Sequence, residues 1–159
     1  MGELLELLVH HFFDIIRDLG AGKDLKPHLL GHSLHKIAAK IREDPQVKIK
    51  IVMGCDSTCE GCSKMFEGRC VDSISHRADF TSKERFNDFI DKKILKACGL
   101  KTGEIATPIK LLKKSKFYIG HIFQIYEGND IKHTQKRRAD VVRGGELYSQ
   151  KFGFGNDAV

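Results

Sequence analysis

The stretch Val47-Lys-Ile-Lys-Ile-Val-Met-Gly-Cys-Asp-Ser-Thr-Cys-Glu-Gly-Cys-Ser-Lys-Met-Phe-Glu-Gly-Arg-Cys70 decides how this chain is read. Its first seven residues alternate apolar and charged side chains up to Ile51, the period-two pattern of a half-buried strand. Gly54 ends that strand, and four of the five cysteines follow within sixteen residues: Cys55, Cys59, Cys62 and Cys70. Thiolates bind soft and borderline metals, and Cys-x2-Cys is a turn tight enough to bring two sulfurs to one centre. In a cytosolic chain, clustered thiols point to metal or redox chemistry rather than to a disulfide scaffold.

Outward from this segment the periodicity becomes helical. Glu3 to Leu19 predicts an amphipathic helix, with His10 and His11 on or near its polar side as solvated residues. A second helix is expected from Pro27 to Glu43, a favourable start for proline. It aligns His28, His32 and His35 on a face opposite its apolar stripe. A third is expected from Ser82, with Thr81 and Glu84 as a capping box and Gly99 as its stop. Cys98 shares the apolar face of that helix and reads as a packing thiol. Thr107-Pro108 predicts a cap and first turn for a short helix, Ile109 to Lys114. Phe117 to Tyr126 suits either a strand or a buried helix, and Lys132 to Arg143 reads as polar helix.

The expected fold class is therefore α+β, mainly helical, a single domain with a short strand leading into a cysteine-rich metal loop. Residues 1–130 form the domain with its cluster at 55–70, and residues 131–159 a polar C-terminal extension, packed in part and ending in a loose tail from Phe152.

Composition sets the outer limits. The 159 residues are 41% hydrophobic and 30% charged, a globular balance that excludes collagen-like and wholly disordered classes. The N-terminal Met-Gly-Glu-Leu-Leu-Glu has no positive region, so a cytoplasmic location is expected and no membrane association. The net charge of +6 is local: residues 91–116 hold eight Lys against Asp91 and Glu104. That Lys-rich 92–116 region suits an acidic protein partner, or is simply a solvated face. Without Trp or basic–aromatic alternation, nucleic acid is not an expected partner. The sequence contains no Walker loop, Rossmann fingerprint or HExxH pattern, and no oligomeric state is legible.

Four thiolates suffice for a [4Fe–4S] cluster, a [2Fe–2S] cluster or tetrahedral zinc. Cys55-x3-Cys59-x2-Cys62 after a strand resembles radical S-adenosylmethionine enzymes, as does Gly144-Gly145-Glu146. That resemblance implies a barrel of βα units, yet the residues after Cys62 show no βαβ repetition, and Gly61 stands where an aromatic is usual.

A wider resemblance runs from Leu25 to Ile109. Lys26-Pro27-His28-Leu29-Leu30-Gly31-His32, then Cys59-Glu60-Gly61-Cys62, Cys70, and the turn Cys98-Gly99-Leu100 are similar to a small prokaryotic family of unknown function whose members are described as candidate iron–sulfur proteins. The resemblance implies a metal site but no reaction. Its early cysteine falls on His32, and Cys55 stands where the family usually has none. Cys59, Cys62 and Cys70 satisfy both spacing and resemblance as metal ligands. Cys55, which satisfies spacing alone, ranks ahead of His32, which satisfies resemblance alone. The expected function is iron–sulfur cluster binding for electron transfer or redox sensing, leaning away from catalysis. The alternatives are a zinc-binding interaction module, a radical-type enzyme, and a metal-free thiol loop.

Overall fold

The computed structural model describes residues 2–155. The alternating segment forms strand β2, Lys48–Ile51, with Ile49 and Ile51 turned into the core. It is the middle strand of three. β1, Leu4–Leu7, pairs with it in parallel, Leu5 opposite Ile49 and Leu7 opposite Ile51. β5, Ile105–Ala106, pairs antiparallel on the other side. A helix beginning at Glu3 is therefore not what forms. Leu4 to Leu7 becomes a strand because β2 offers a free ladder, and its exposed–buried alternation is satisfied there. Helix α1 follows, Val9–Gly20.

The second expected helix is corrected in the same way. α2 spans Leu34–Glu43, and residues 27–33 are a loop. Gly31 adopts a left-handed φ of 77°, and the Ser33 N–H and Leu30 carbonyl bond to the cysteine loop instead of to a helical turn. The three histidines therefore share no helical face.

α3, Lys83–Cys98, is capped by the Ser82 hydroxyl, which accepts from Arg85 N at 3.2 Å, and it closes on Gly99 at φ 64°. Ser82 is the cap rather than Thr81, and the Glu84 carboxylate serves another purpose described below. α4, Pro108–Leu112, starts at the Thr107 cap as expected. The ambiguous segment 117–126 is helical, divided into α5, Ser115–Gly120, and α6, Ile122–Ile125. α7 is longer than its polar pattern suggested, Ile131–Phe152. Gly153 closes it in a left-handed conformation, and Phe154 packs back on the core. The expected loose tail beyond Gly155 lies outside the described residues. About 51% of the described residues are helical, in a mixed α+β arrangement. Among the described residues no helix is long and apolar enough to cross a membrane.

α7 packs along α1 at very short range. A Cβ on Gly144 would lie 1.8 Å from the Ile16 carbonyl oxygen, and one on Gly20 would lie 1.8 Å from that of Asp140. Gly144 is thus a helix-crossing device together with Gly20, and Gly145 is buried beside it in α7. Val141 and Tyr148 are buried beside it, and the Tyr148 hydroxyl donates to the Ile41 carbonyl at 2.7 Å, tying α7 to the end of α2. Cys98 packs as expected, 2% exposed, with its sulfur 3.7 Å from the Lys114 carbonyl oxygen.

Gly144→Ala should lower stability by about 2–3 kcal/mol, because backbone rather than a flexible side chain must move. Gly120→Ala, where an added Cβ meets nothing within 4 Å, should leave stability unchanged or slightly raised. Thermal unfolding of both variants checks this. Cys98→Ala should cost on the order of 1 kcal/mol in the same measurement.

Candidate metal centre

β2 leads into the cysteine loop through Gly54, at φ 82°. Asp56 then organises everything near it. One oxygen, Oδ1, accepts from the Thr58 N–H at 2.9 Å and its hydroxyl at 2.6 Å, capping a single 3₁₀ turn over Ser57–Cys59. The other, Oδ2, accepts from Leu8 N and from His11 Nδ1, both at 2.7 Å. Burial alone would raise this carboxyl. The His11 ring, the Thr58 groups and the Leu8 amide overcome that and hold its pKa near 2. Cys59 lies at the end of the turn, its sulfur 3.7 Å from Asp56 Oδ1.

The turn from Cys59 to Cys62 closes on a backbone bond, Cys62 N–H to Cys59 carbonyl at 3.0 Å. Gly61 at its corner has φ 79°, and an added Cβ would lie 2.7 Å from the Gly31 carbonyl oxygen. The reverse holds for a Cβ on Gly31 against Gly61. Two glycines therefore let two loops touch through their backbones. Ser33 N donates to Thr58 O and Ser63 N to Leu30 O, each at 2.7 Å, while the Ser33 hydroxyl donates to Glu60 O at 2.9 Å. This docking carries His32 to the cysteine loop.

Cys70 arrives from the far side of a small hairpin, β3, Met65–Phe66, against β4, Arg69–Cys70. The Glu84 carboxylate, in the first turn of α3, accepts from the Cys70 N–H at 2.8 Å and from the Arg69 guanidinium. Cys59, Cys62, Cys70 and His32 all line one cavity of about 800 Å³. Cys55 is not among its lining residues; its thiol faces the Met65 thioether at 3.5 Å, with the Cys70 backbone, Cys59 and Glu84 nearby. All five cysteines are free thiols.

Burial pushes the Cys59 thiol up to about 12, and Cys55 moves in the same direction for the same reason. Both are protonated near neutral pH unless a metal displaces the proton. His32 is shifted downward by burial and then by the neighbouring His28, so its ring is neutral. Its Nδ1 is buried without a hydrogen-bond partner. Among the described residues, no group of three or more His, Cys, Asp and Glu side chains stands close enough together to hold a metal ion. The four donors share a cavity rather than a finished coordination sphere.

The wall contributed by α1 holds residues that the sequence did not single out. His10 and His11 are not solvated: each Nδ1 meets a buried carboxylate, His10 on Asp91 at 2.8 Å and His11 on Asp56 at 2.7 Å. Asp91 comes from α3 and is fully buried. Beside them Arg137 pairs with Asp14 and lies over the Tyr126 ring at 4.5 Å. The helical spacing of His10, His11 and Asp14 was visible in the sequence, but Asp56, Asp91 and Arg137, which meet them, lie 45 to 123 positions away.

The chain belongs to the family described as "Protein of unknown function (DUF1284)", whose profile matches residues 31–127. The match begins at Gly31, so Lys26 to Leu30 lie outside it, whereas His32 and all five cysteines lie inside. No curated protein and no solved structure matches the chain.

Asp56→Ala should cost about 3 kcal/mol, since it strands the Leu8 N–H, the His11 ring and the 3₁₀ turn together. Chemical denaturation measures that loss. Faster reaction of Cys59 with a thiol reagent should accompany it.

Proposed function

We propose that this protein binds an iron–sulfur cluster in the cavity, held by Cys59, Cys62, Cys70 and His32, and serves in electron transfer or redox sensing. One observation carries the ligand set. The Gly31–Gly61 backbone contact delivers an imidazole with an unpartnered, buried Nδ1 to the cavity lined by three thiols. A buried polar nitrogen without a partner is unfavourable, and a metal satisfies it. The donors are soft and neutral or anionic, which suits iron–sulfur ligation; three Cys with one His also suits structural zinc, and that is the second reading. Spacing ranked Cys55 first for the fourth position; its thiol faces both Met65 and Cys59, whereas His32 itself lines the cavity, and on that ground His32 is taken as the fourth ligand.

A bound cluster supplies a reversible one-electron centre. The chain's own contribution is support. Glu84 fixes the Cys70 amide, Asp56 holds the turn that ends at Cys59, and the glycine contact sets the height of His32. The exposed lysines of the 92–116 region, Lys92, Lys96, Lys101, Lys110, Lys113 and Lys116, offer a docking surface to an acidic redox partner.

Anaerobic, iron-replete preparation followed by iron, sulfide and zinc analysis tests the reading. Stoichiometric iron and sulfide with a visible sulfur-to-iron absorption are expected. Ala variants of Cys59, Cys62, Cys70 and His32 should each lose most of that metal, while Cys55→Ala and Cys98→Ala retain it. Stoichiometric zinc without iron selects the second reading. If Cys55→Ala empties the site and His32→Ala does not, the ligand set is wrong, and a parent that takes up no metal ends the proposal.

A further inference from the structure

His10 and His11 are consecutive in the first turn of α1, with ring centroids 4.3 Å apart. Each ring is held through Nδ1 by a carboxylate: His10 by Asp91, which is wholly buried, and His11 by Asp56, 9% exposed. A carboxylate accepts only, so each Nδ1 carries a proton toward its carboxylate, and each Nε2 is the ring nitrogen turned away from it. Both residues line the cavity.

The charge balance is unusual. Asp14 is met by Arg17 and Arg137, and Asp72 by Lys83. Among the ion pairs of the described residues, Asp56 and Asp91 have histidine as their only cationic partner. Two buried carboxylates are thus met by imidazoles alone, and burying charge without compensation is expensive; burial would lower the His10 pKa, yet Asp91 raises it overall. Two protonated imidazoles would restore the balance, and so would one divalent cation on the two Nε2 atoms. The second arrangement matches the way proteins orient metal-bound histidines, with the remote N–H donated to a carboxylate that fixes the tautomer and strengthens the donor. Asp14 lies one turn further along α1 and lines the same cavity. Both arginines reach it through Oδ1, which leaves Oδ2 as a third donor on this face.

We propose that His10 and His11 bind a divalent transition-metal ion through Nε2 at a site separate from the thiols, with Asp14 completing it. Two imidazoles and one carboxylate on one face suit zinc, iron(II) or manganese(II), and leave positions open for water or a small substrate in the cavity. Among the described residues the three side chains do not stand close enough together to hold an ion as they are, so binding draws them together, against the hold of Arg17 and Arg137 on Asp14. This site does not depend on the thiols holding a cluster.

The test is a zinc(II) titration of the full-length, 15N-histidine-labelled protein at pH 7.5, read by long-range 1H–15N correlation of the imidazoles. Metal entering the thiol site perturbs His32 and leaves the α1 pair in place. The proposal expects a distinct binding step in which the Nε2 resonances of His10 and His11 shift together while their Nδ1 atoms stay protonated. Asp91→Asn should weaken that step by roughly 10–100-fold, as for other partners of metal-bound histidines. Asp14→Asn should weaken it too, and Cys62→Ser should not. The titration of the unaltered protein decides the matter even if a variant folds poorly. If excess zinc moves only His32, or moves no histidine, the pair is a structural tie between α1, α3 and the cysteine loop, and the proposal is overturned.

Discussion

The Asp56 carboxylate is the interaction on which the rest of the site depends. It is short and buried, and each oxygen accepts two N–H or O–H bonds, with the Cys59 thiol a weak further donor to Oδ1. Through Oδ1 it shapes the turn that ends at Cys59. Through Oδ2 it grips the Leu8 amide, the residue between β1 and α1, and the His11 ring. A neutral amide could reproduce part of this pattern but not all, because every partner is a donor and Asn would bring two N–H groups of its own. The cost of burying the charge is offset by those four donors, and this keeps the carboxyl ionised at any ordinary pH.

The scaffold around that carboxylate is built on close backbone approach. Gly20 and Gly144 bring α1 and α7 together, and no side chain could sit between them. Gly31 and Gly61 do the same for two loops. In both places the gain is positional. α1 is held firmly enough to present His10, His11 and Asp14 to the cavity, and the loop contact brings His32 to the same cavity. Packing at this density resists small adjustments, so substitutions at these glycines are felt at the cavity although none of the four is chemically active.

The walls of the cavity differ in character. One carries three thiols, of which burial holds the proton on Cys59, and the His32 imidazole, which burial keeps neutral. The other carries imidazoles backed by carboxylates, beside an Arg137–Asp14 pair and the Tyr118–Tyr126 hydroxyl contact at 2.9 Å. His11 touches both sides, because its partner Asp56 also adjoins the Cys59 sulfur. A change of charge at the thiols is therefore felt by the His11 ring through a single carboxylate.

Much of this was legible in the chain. The alternation of Val47 to Ile51 specified a strand, the spacing of Phe86, Ile90, Ile94 and Cys98 specified a helix with a buried thiol, and the glycine-punctuated cysteines specified a loop. These are local properties, set by the periods of strand and helix and by the glycines. What the sequence left open was decided at long range. Leu4 to Leu7 is a strand because β2 pairs with it, not because its own pattern demands one. Residues 27–33 leave the helix because their backbone groups find better partners in the cysteine loop, and His32 reaches the cavity as a result. His10 is buried and His11 half-buried because Asp91 and Asp56 meet them from elements 81 and 45 positions away. Hydrogen bonds and charge pairs of that span have no periodic signature, so only the folded chain could bring these residues together.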